Sequence, residues 1–205
     1  YLDSSWVIHS VDSLVFEDLC RDETFISDEL VDDLGFYDIS DLEGYLYPET
    51  YKVDPYSNEK DLIKVFIKEF LKQTKPYQEE IDNTVMIIAS IIEAETDLIE
   101  EMKLVSSVYN NRVNSNPPMK LESDPTVEYF TKKRMRPKDK HIDNPYNTYI
   151  YTMPPGPINS PRIEAIEAAL YPADTNYKFM VMHYKIGRHL FAEDYKGHLK
   201  NIRTK

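Results

Sequence analysis

The chain has 205 residues, of which 41% are hydrophobic and 29% charged, so it can bury a core and has the composition of a globular domain. Its formal net charge of −12 repels nucleic acid phosphates and anionic lipid head groups, so neither is an expected partner. With 5 glycines, 1 cysteine and neither of the common phosphate-loop patterns, the sequence excludes an intrachain disulfide and glycine-rich nucleotide sites.

The first part of the chain predicts helices separated by a structured loop. Residues 1–40 are acidic and carry short apolar clusters, and we interpret them as an N-terminal helical segment. Residues 43–55 are rich in aromatic residues and proline, which favours an ordered loop. Over residues 58–74 the apolar positions recur at helical spacing, which predicts an amphipathic helix capped by Asn58 or Ser57.

The middle of the chain predicts one long helix or two shorter ones. The apolar pattern begins near Asn83 or Thr84 and continues at helical spacing to about Val113. Asp97 followed by Glu100 resembles a capping box, which would start a second helix at that point. Both readings stay open from the sequence.

The last third of the chain changes character. Residues 116–161 are dense in Pro, Asn, Asp and Tyr, which predicts a long irregular segment of the kind that usually carries function. Ser160 as cap and Pro161 at the first helical position predict a short helix over 160–172. Two apolar stretches within 177–194 flank a Lys-Ile-Gly-Arg turn and predict a β-hairpin, followed by a final helix.

The expected fold class is therefore α+β, with a helical core that includes a catalytic helix, long Pro/Asn/Tyr-rich loops and a C-terminal β-hairpin. No apolar run reaches the length of about 18 residues that a membrane-spanning helix needs, so this chain as given is not expected to cross a membrane. Its first residue is Tyr, which favours a processed protein or a fragment, and an anchor could precede it.

Two carboxylates occur inside the most apolar stretch, "IASIIEAET" at 88–96. Because each helical residue turns about 100°, Glu95 shares a face with the isoleucines, whereas Glu93 falls on the more solvated side. A carboxyl group among apolar neighbours has a raised pKa, which suits a general acid. For Glu93 we expect a partner such as Arg112 or Lys103. The alternative is that both glutamates are structural, with Glu95 bonded to a buried backbone donor.

Other chemistries find less support in the sequence. There is no G-x-S-x-G pattern, and Cys20 sits in an acidic stretch that raises rather than lowers a thiol pKa. The histidines lack metal-ligand spacing, so we expect no metal and no cofactor; they are His9, His141, His183, His189 and His198. The basic cluster at 132–140 is either a solvated loop or a docking patch for an anionic partner. A lone acid with many aromatic residues fits carbohydrate chemistry.

Seven stretches in consistent order resemble one family, the endolytic peptidoglycan transglycosylases of the MltG (YceG-like) type. They cover roughly residues 40–200, and the succession of "SDPTV", "YNTY" and "PPGPI" is the most specific part. The stretches are "EGYLYPETY" (43–51), "IASIIEAET" (88–96), "VSSVYNNRV" (105–113), "MKLESDPTVEY" (119–129), "NPYNTYIYTMPPGPINSP" (144–161), "AIEAALYP" (165–172) and "RHLFAEDYKGH" (188–198).

The resemblance implies a lytic transglycosylase, a carbon–oxygen lyase that cleaves the MurNAc–GlcNAc linkage of nascent peptidoglycan strands and leaves 1,6-anhydro-MurNAc ends. It also implies a full-length protein at the extracytoplasmic face of the bacterial inner membrane, held by an N-terminal anchor that this chain lacks. Peptidoglycan strands are the implied substrate, and peptidoglycan synthases are implied partners. The alternatives are a hydrolytic muramidase and a non-catalytic glycan-binding or scaffold domain of the cell-wall machinery.

The resemblance also assigns domains and residues. The YceG-like catalytic domain is expected over 41–205, with 1–40 either part of it or the remnant of a preceding subdomain. The catalytic glutamate of the family aligns with Glu95, with Glu93 as the fallback, and the carboxyl acts first as acid and then as base. The residues implied in substrate binding are Glu43, Tyr47, Ser123, Asp124, Thr126, Tyr146, Asn147, Thr148, Tyr149, Pro155, Gly156 and His189.

Overall fold

The structure, a computed structural model, describes residues 11–30, 39 and 41–204. The chain divides into two compact units, Tyr1–Glu79 and Glu80–Lys205. Of the predicted N-terminal helical segment, residues 1–10, 31–38 and 40 lie outside the described residues. The catalytic domain was predicted to start at residue 41 on the basis of the family resemblance. The division into compact units does not test that boundary, which stays a prediction.

The described part of the first unit is helical. Its helices are α1 (Ser13–Cys20), α2 (Glu23–Glu29), α3 (Glu59–Thr74) and a short 3₁₀ turn at Lys75–Tyr77. Asp12 and Asp22 cap the first two helices through their side chains, as acidic N-cap residues do. The prediction for 58–74 is confirmed, with Asn58 as the cap. Asn58 and Asp61 form a reciprocal capping box, and the apolar face of α3 is buried.

The second unit packs helices and one hairpin. Its helices are α4 (Asn83–Glu95), α5 (Ile99–Val113), α6 (Asp124–Thr131), α7 (Ile163–Leu170) and α8 (Tyr195–Thr204), with a 3₁₀ turn at Pro137–His141. The strands β1 (Phe179–His183) and β2 (Arg188–Ala192) pair antiparallel, with Val181 opposite Leu190. The α+β fold class and the C-terminal hairpin are thus confirmed. Within the described residues, no helix is long and apolar enough to cross a membrane.

The core of the second unit forms between α4, α5 and α7. Ile91, Ile92 and Val105 are fully buried in it, together with small residues of α7 such as Ala165. Alanine on α7 lets this helix approach closely, so that the isoleucine face predicted for α4 is covered. At the end of α4 the chain emerges from this core, and that is where the candidate site lies.

The helix boundaries depart from prediction at three points. The chain forms two helices rather than one after Asn83, but α5 is not opened by an Asp97–Glu100 capping box. Its N-cap is Leu98, whose N–H donates to the Thr96 hydroxyl at 3.1 Å. The irregular segment 116–161 contains α6, which we did not predict.

The third departure is the start of α7. Ser160 and Pro161 do not open it, because the helix begins at Ile163 with Arg162 as N-cap. The backbone N–H of Arg162 donates to the carboxylate of Glu93 at 3.1 Å. A distant carboxylate therefore does the work that local capping was expected to do.

Candidate active site

Glu95 is the last residue of α4, and two neutral hydroxyl groups hold its carboxyl group. Tyr109 Oη donates to Glu95 Oε1 at 2.6 Å, and Ser123 Oγ donates to the same oxygen at 2.7 Å. Tyr109 comes from α5, which packs against α4, while Ser123 stands just before α6. Among the described residues, none makes a hydrogen bond to Oε2. One oxygen is therefore fixed, and the other is left for a substrate.

Burial raises the pKa of the Glu95 carboxyl above its usual value, and the hydrogen bonds from Tyr109 and Ser123 oppose that rise. The same burial, together with the nearby Glu95, raises the pKa of Tyr109 well above its usual value. Tyr109 therefore stays a neutral hydroxyl donor. Because Oε1 accepts both hydrogen bonds, the proton of the protonated carboxyl is expected on Oε2.

Glu95 opens into a cleft of about 410 Å³ within the second unit. The wall combines side chains from α4, α5, the hairpin and α8 with the segment before and after α6. Its lining residues include Glu95, Tyr109, Arg112, Glu122, Asp124, Lys140, Tyr149, Met180, Met182, His189 and His198. A cleft of this size is typical of a ligand-binding site, and most of the side chains named above are polar or charged, which suits a polar ligand. In the described part of the chain, no three metal-ligating side chains come together.

Asp124, a second acid in the cleft lining, already has a hydrogen-bond partner. The Tyr149 hydroxyl donates to Asp124, and burial together with that contact raises the pKa of Tyr149. The ammonium of Lys140 lies 4.2 Å from the centre of the Tyr149 ring. Nearby, Arg112 pairs with Glu122 at 3.2 Å and donates to the Lys178 carbonyl at 2.6 Å. Asp124 is therefore committed to Tyr149 rather than placed as a second free acid.

The cleft lining also includes His189, which a buried glutamate holds in place. Glu101 Oε2 lies 2.8 Å from His189 Nδ1, and the backbone N–H of His189 also donates to this carboxylate, at 3.1 Å to Oε1. Glu101 is 4% exposed and His189 is 9% exposed. Burying two ionisable groups is costly unless each satisfies the other. The pair connects the first turn of α5 to β2.

A hydroxyl and amide network supports Ser123 from behind. The N–H of Ser123 donates to the Thr148 hydroxyl at 3.0 Å, and Thr126 Oγ1 lies 2.8 Å from Thr148 Oγ1. Asn147 is fully buried, donates to the Ile142 carbonyl at 2.8 Å and accepts from the Tyr149 N–H at 3.0 Å. These side chains shape the loops that present Ser123, Asp124 and Tyr149.

The other predicted residues lie elsewhere. Tyr146 packs on Tyr129 with ring centroids 4.8 Å apart, and a Cβ on Gly156 would lie 3.2 Å from the Tyr146 hydroxyl. Neither Tyr146, Gly156 nor Pro155 lines the cleft. Two further residues belong to the first unit; they are Glu43 and Tyr47. Their roles in binding stay predictions.

Glu93, the fallback, points to a different part of the molecule. Its Oε1 accepts from Arg162 Nε at 2.8 Å, and its Oε2 accepts from the Arg162 backbone N–H. The expectation that it pairs with Arg112 or Lys103 is wrong, since Arg162 is the partner and Arg112 is taken by Glu122 and three backbone carbonyls. Glu93 is therefore a link between α4 and α7 and is absent from the cleft lining.

Sequence reasoning missed Tyr109 and Glu101. Tyr109 lies within the "VSSVYNNRV" stretch but carries no local pattern that predicts contact with a residue on the preceding helix. Glu101 could have been found, because helical spacing places it on one face with Val105 and Val108, both buried. We singled out its neighbour Glu100, which is exposed.

Comparison with known proteins bears on this geometry. The model of the YceG-like family matches residues 7–204. A protein of Bacillus subtilis strain 168 named endolytic murein transglycosylase is 35% identical over 198 residues, covering 87% of this chain and 54% of its own. One of the same name from Streptococcus pneumoniae serotype 2 strain D39 is 30% identical over 206 residues, covering 89% of this chain and 37% of its own.

A solved structure of a related protein also matches this chain. The crystal structure of a yceG-like protein from Listeria monocytogenes matches with a TM-score of 0.78 and 29% identity, covering 92% of this chain and 67% of that one. The chain spans about half or less of the length of the two curated relatives. The comparisons therefore concern the part of those proteins that this chain resembles.

Proposed function

This chain belongs to the YceG-like family, and from that premise we propose that it is a lytic transglycosylase that cleaves peptidoglycan strands internally. Its curated relatives are named endolytic murein transglycosylases, and murein is peptidoglycan. One observation carries the proposal: Glu95 presents an oxygen without a hydrogen-bond partner among the described residues to a cleft, and burial favours its protonated form. The proposed scissile bond is the MurNAc–GlcNAc linkage.

In the first step Glu95 acts as general acid. Its proton passes from Oε2 to the glycosidic oxygen, the bond between C1 of MurNAc and that oxygen breaks, and the electron pair leaves with the GlcNAc-side alcohol. The carbonyl oxygen of the 2-acetamido group donates an electron pair to C1 and so stabilises the developing cation. Tyr109 and Ser123 donate to the carboxylate that forms on Glu95, which lowers the cost of ionising a buried group.

In the second step the same carboxyl group acts as base. The Glu95 carboxylate takes the proton of the C6 hydroxyl, and O6 forms a bond to C1 as the acetamido oxygen leaves it. The product is a 1,6-anhydro-MurNAc end, no water is consumed, and Glu95 regains its proton. This sequence needs one carboxyl rather than the two that ordinary glycosidases use. The commitment of Asp124 to Tyr149 is consistent with that requirement.

The structure favours Glu95 over Glu93 for this role. Glu93 has a guanidinium partner and caps α7, so protonating it would break an ion pair and a helix cap. Glu95 contacts neutral donors only, at the edge of a cleft that could hold a sugar. Glu93 is therefore the matched control for every test of Glu95.

The test is mass spectrometry of the products from uncrosslinked peptidoglycan strands incubated with the wild-type chain, Glu95→Gln or Glu93→Gln. We expect anhydro-ended fragments from the wild type and from Glu93→Gln, and none from Glu95→Gln. Reducing ends would show that water is the acceptor and that the protein is a muramidase. If all three proteins bind strands but none cleaves them, the chain is a glycan-binding domain and the proposal fails.

We also propose that the full-length protein acts at the extracytoplasmic face of the bacterial inner membrane, close to peptidoglycan synthases. The support is the resemblance alone. Fractionation of cells and crosslinking of the full-length protein in growing cells test it. Recovery in the cytosolic fraction, or crosslinks to no synthase, would count against these two assignments without touching the chemistry of Glu95.

A further inference from the structure

The buried pair of Glu101 and His189 has no role in the mechanism above, yet His189 lines the same cleft as Glu95. The pair is a poor way to gain stability, because apolar residues of similar volume usually stabilise a core as well or better. It joins α5 to β2, but the exposed pair of Glu100 and Arg188, 2.8 Å apart, joins the same two elements. A second, buried link therefore calls for another explanation.

The contacts of Glu101 define which ring nitrogen of His189 carries the proton. A carboxylate only accepts hydrogen bonds, so Nδ1, which lies 2.8 Å from Glu101 Oε2, must be the protonated nitrogen of the neutral ring. The backbone N–H of His189 donates to the same carboxylate and fixes its orientation. Nε2 is then left with a lone pair, and no described residue donates to it.

Nε2 is also reachable. Nε2 has no hydrogen-bond partner among the described residues, yet it does not belong to the fully buried atoms without a partner. It therefore keeps some exposed surface, and its ring lines the cleft. The cleft thus contains an imidazole nitrogen that a buried carboxylate holds in the accepting form. A substrate hydroxyl could adapt to either ring tautomer, since a hydroxyl both donates and accepts. A fixed acceptor is needed only when the ligand group can do nothing but donate.

We propose that His189 Nε2 accepts a hydrogen bond from the 2-acetamido N–H of the sugar whose glycosidic bond is cleaved, and that Glu101 is the positioning residue that keeps Nε2 unprotonated. This rests on the proposed function. An amide N–H is a donor only, so it selects this tautomer. The bond aims the acetamido carbonyl oxygen at C1.

The contact also has a consequence for charge. When the carbonyl oxygen gives its electron pair to C1, positive charge spreads onto the amide nitrogen, and an acceptor on its N–H stabilises that charge. The proton stays on the amide throughout, so His189 neither gains nor loses one. A neutral ring suits Glu95 as well, because positive charge at His189 would lower the pKa of Glu95 and weaken it as an acid.

The first test reads the tautomer without any substrate. In ¹⁵N NMR of the neutral ring, we expect the shift of an unprotonated nitrogen on Nε2 of the wild-type chain. In Glu101→Gln the amide oxygen faces the His189 backbone N–H, so the amide NH₂ faces Nδ1 and the proton moves to Nε2. An Nε2-protonated ring in the wild type would overturn the proposal.

The second test measures turnover on peptidoglycan strands. In Glu101→Gln the protonated Nε2 of His189 faces the acetamido N–H, so two donors oppose each other. His189→Asn keeps a hydrogen-bond donor near the position of Nδ1 and removes Nε2. We expect each to lower kcat about 100-fold, the size of effect seen when one transition-state hydrogen bond is removed. Glu101→Gln keeps a hydrogen-bonded side chain opposite His189 and should keep a wild-type melting temperature to within a few degrees, and turnover of His189→Asn is measured well below its own melting temperature. Glu100→Gln, which breaks the exposed pair to Arg188, is the matched control and should turn over as the wild type does.

Strands stripped of their stem peptides separate two kinds of amide donor. We expect the loss in His189→Asn to be the same on stripped and on intact strands, because the acetamido group belongs to the glycan. A loss confined to intact strands would assign Nε2 to the stem peptide and overturn the proposal. Full turnover by His189→Asn would also overturn it and leave the pair as a structural link. If the wild type cleaves neither kind of strand, the proposed function itself fails, whereas the NMR result stands separately.

Discussion

Glu93 and Glu95 are two residues apart on α4, and the structure gives their carboxyl groups opposite surroundings. Glu93 meets the guanidinium and the backbone N–H of Arg162 and joins α4 to α7. Glu95 meets two neutral hydroxyls at the edge of a cleft. The 200° of rotation that two helical residues make explains why the pair separates. Our proposal of Glu95 as the catalytic acid rests on this difference in partner, a cation for Glu93 and neutral hydroxyls for Glu95.

The same contrast recurs one helix later. Glu100 and Glu101 are neighbours at the start of α5, and both pair with consecutive residues of β2. The outer pair is more than half exposed and is expected to contribute little to stability, whereas the inner pair is largely buried and its His189 ring lines the cleft. In both cases helical rotation separates a structural acid from one that borders the site.

The largest expected effect comes from moving the Glu95 carboxyl without removing it. Glu95→Asp keeps an acid but shortens the side chain by one methylene, which draws the carboxyl away from Tyr109 and Ser123. A misplacement of about 1 Å can cost about 100-fold in rate, so we expect kcat to fall by roughly that factor. Turnover of uncrosslinked strands, followed by mass spectrometry, is the measurement.

Glu93→Asp is the control for that experiment, since it shortens the neighbouring acid equally. It should lower the melting temperature and leave kcat within about threefold of the wild type, because Glu93 does not line the cleft. If Glu93→Asp loses as much turnover as Glu95→Asp does, the assignment of different roles to the two glutamates is wrong. In that case the catalytic acid would have to be sought on the α7 side of the helix.

A smaller effect is expected on stability. Glu93→Ala removes the partner of Arg162 and the acceptor that caps α7, and both groups are partly buried. Losing hydrogen bonds to a charged group typically costs about 1.5–3 kcal/mol, and we expect the free energy of unfolding to fall by about that much. Urea denaturation of the wild type and the variant measures it.

Arg162→Met is the matched partner variant, because it removes the cation and keeps an unbranched side chain in its place. If the ion pair is the cause, the double variant of Glu93→Ala and Arg162→Met should be less destabilised than the sum of the two single variants. Additive losses would show that the two side chains stabilise the unit independently of each other.

Much of the fold could be predicted because it depends on short-range periodicity. The spacing of apolar residues located α3 and α4, and it predicted that Glu93 and Glu95 lie on different faces of α4. The hairpin followed from two apolar stretches around a turn. The short helix α6 was missed because it has only 8 residues and carries a proline, Pro125, at its second position, so no window of sufficient length shows a helical pattern.

The contacts that define the site were beyond such reasoning, because they join residues far apart in the chain. Glu95 and Ser123 are 28 positions apart, and Glu101 and His189 are 88 apart. The start of α7 was misplaced for the same reason: a carboxylate from another helix caps it, so the local Ser160 and Pro161 have no part in it. Periodicity can tell which side of a helix is buried, but only the packed fold shows what lies opposite.

The smallest expected effect concerns the hydroxyls that hold Glu95. The hydrogen bond from Tyr109 lowers the pKa of Glu95 against the rise caused by burial, so Tyr109→Phe should raise that pKa further. A general acid loses activity as pH rises through its pKa, and the alkaline limb of the kcat profile should therefore move to higher pH. At the plateau kcat should fall only several-fold, because Ser123 still donates to the carboxylate. Ser123→Ala should shift the limb in the same direction. A limb that moves to lower pH, or does not move in either variant, would mean that a group other than Glu95 controls it.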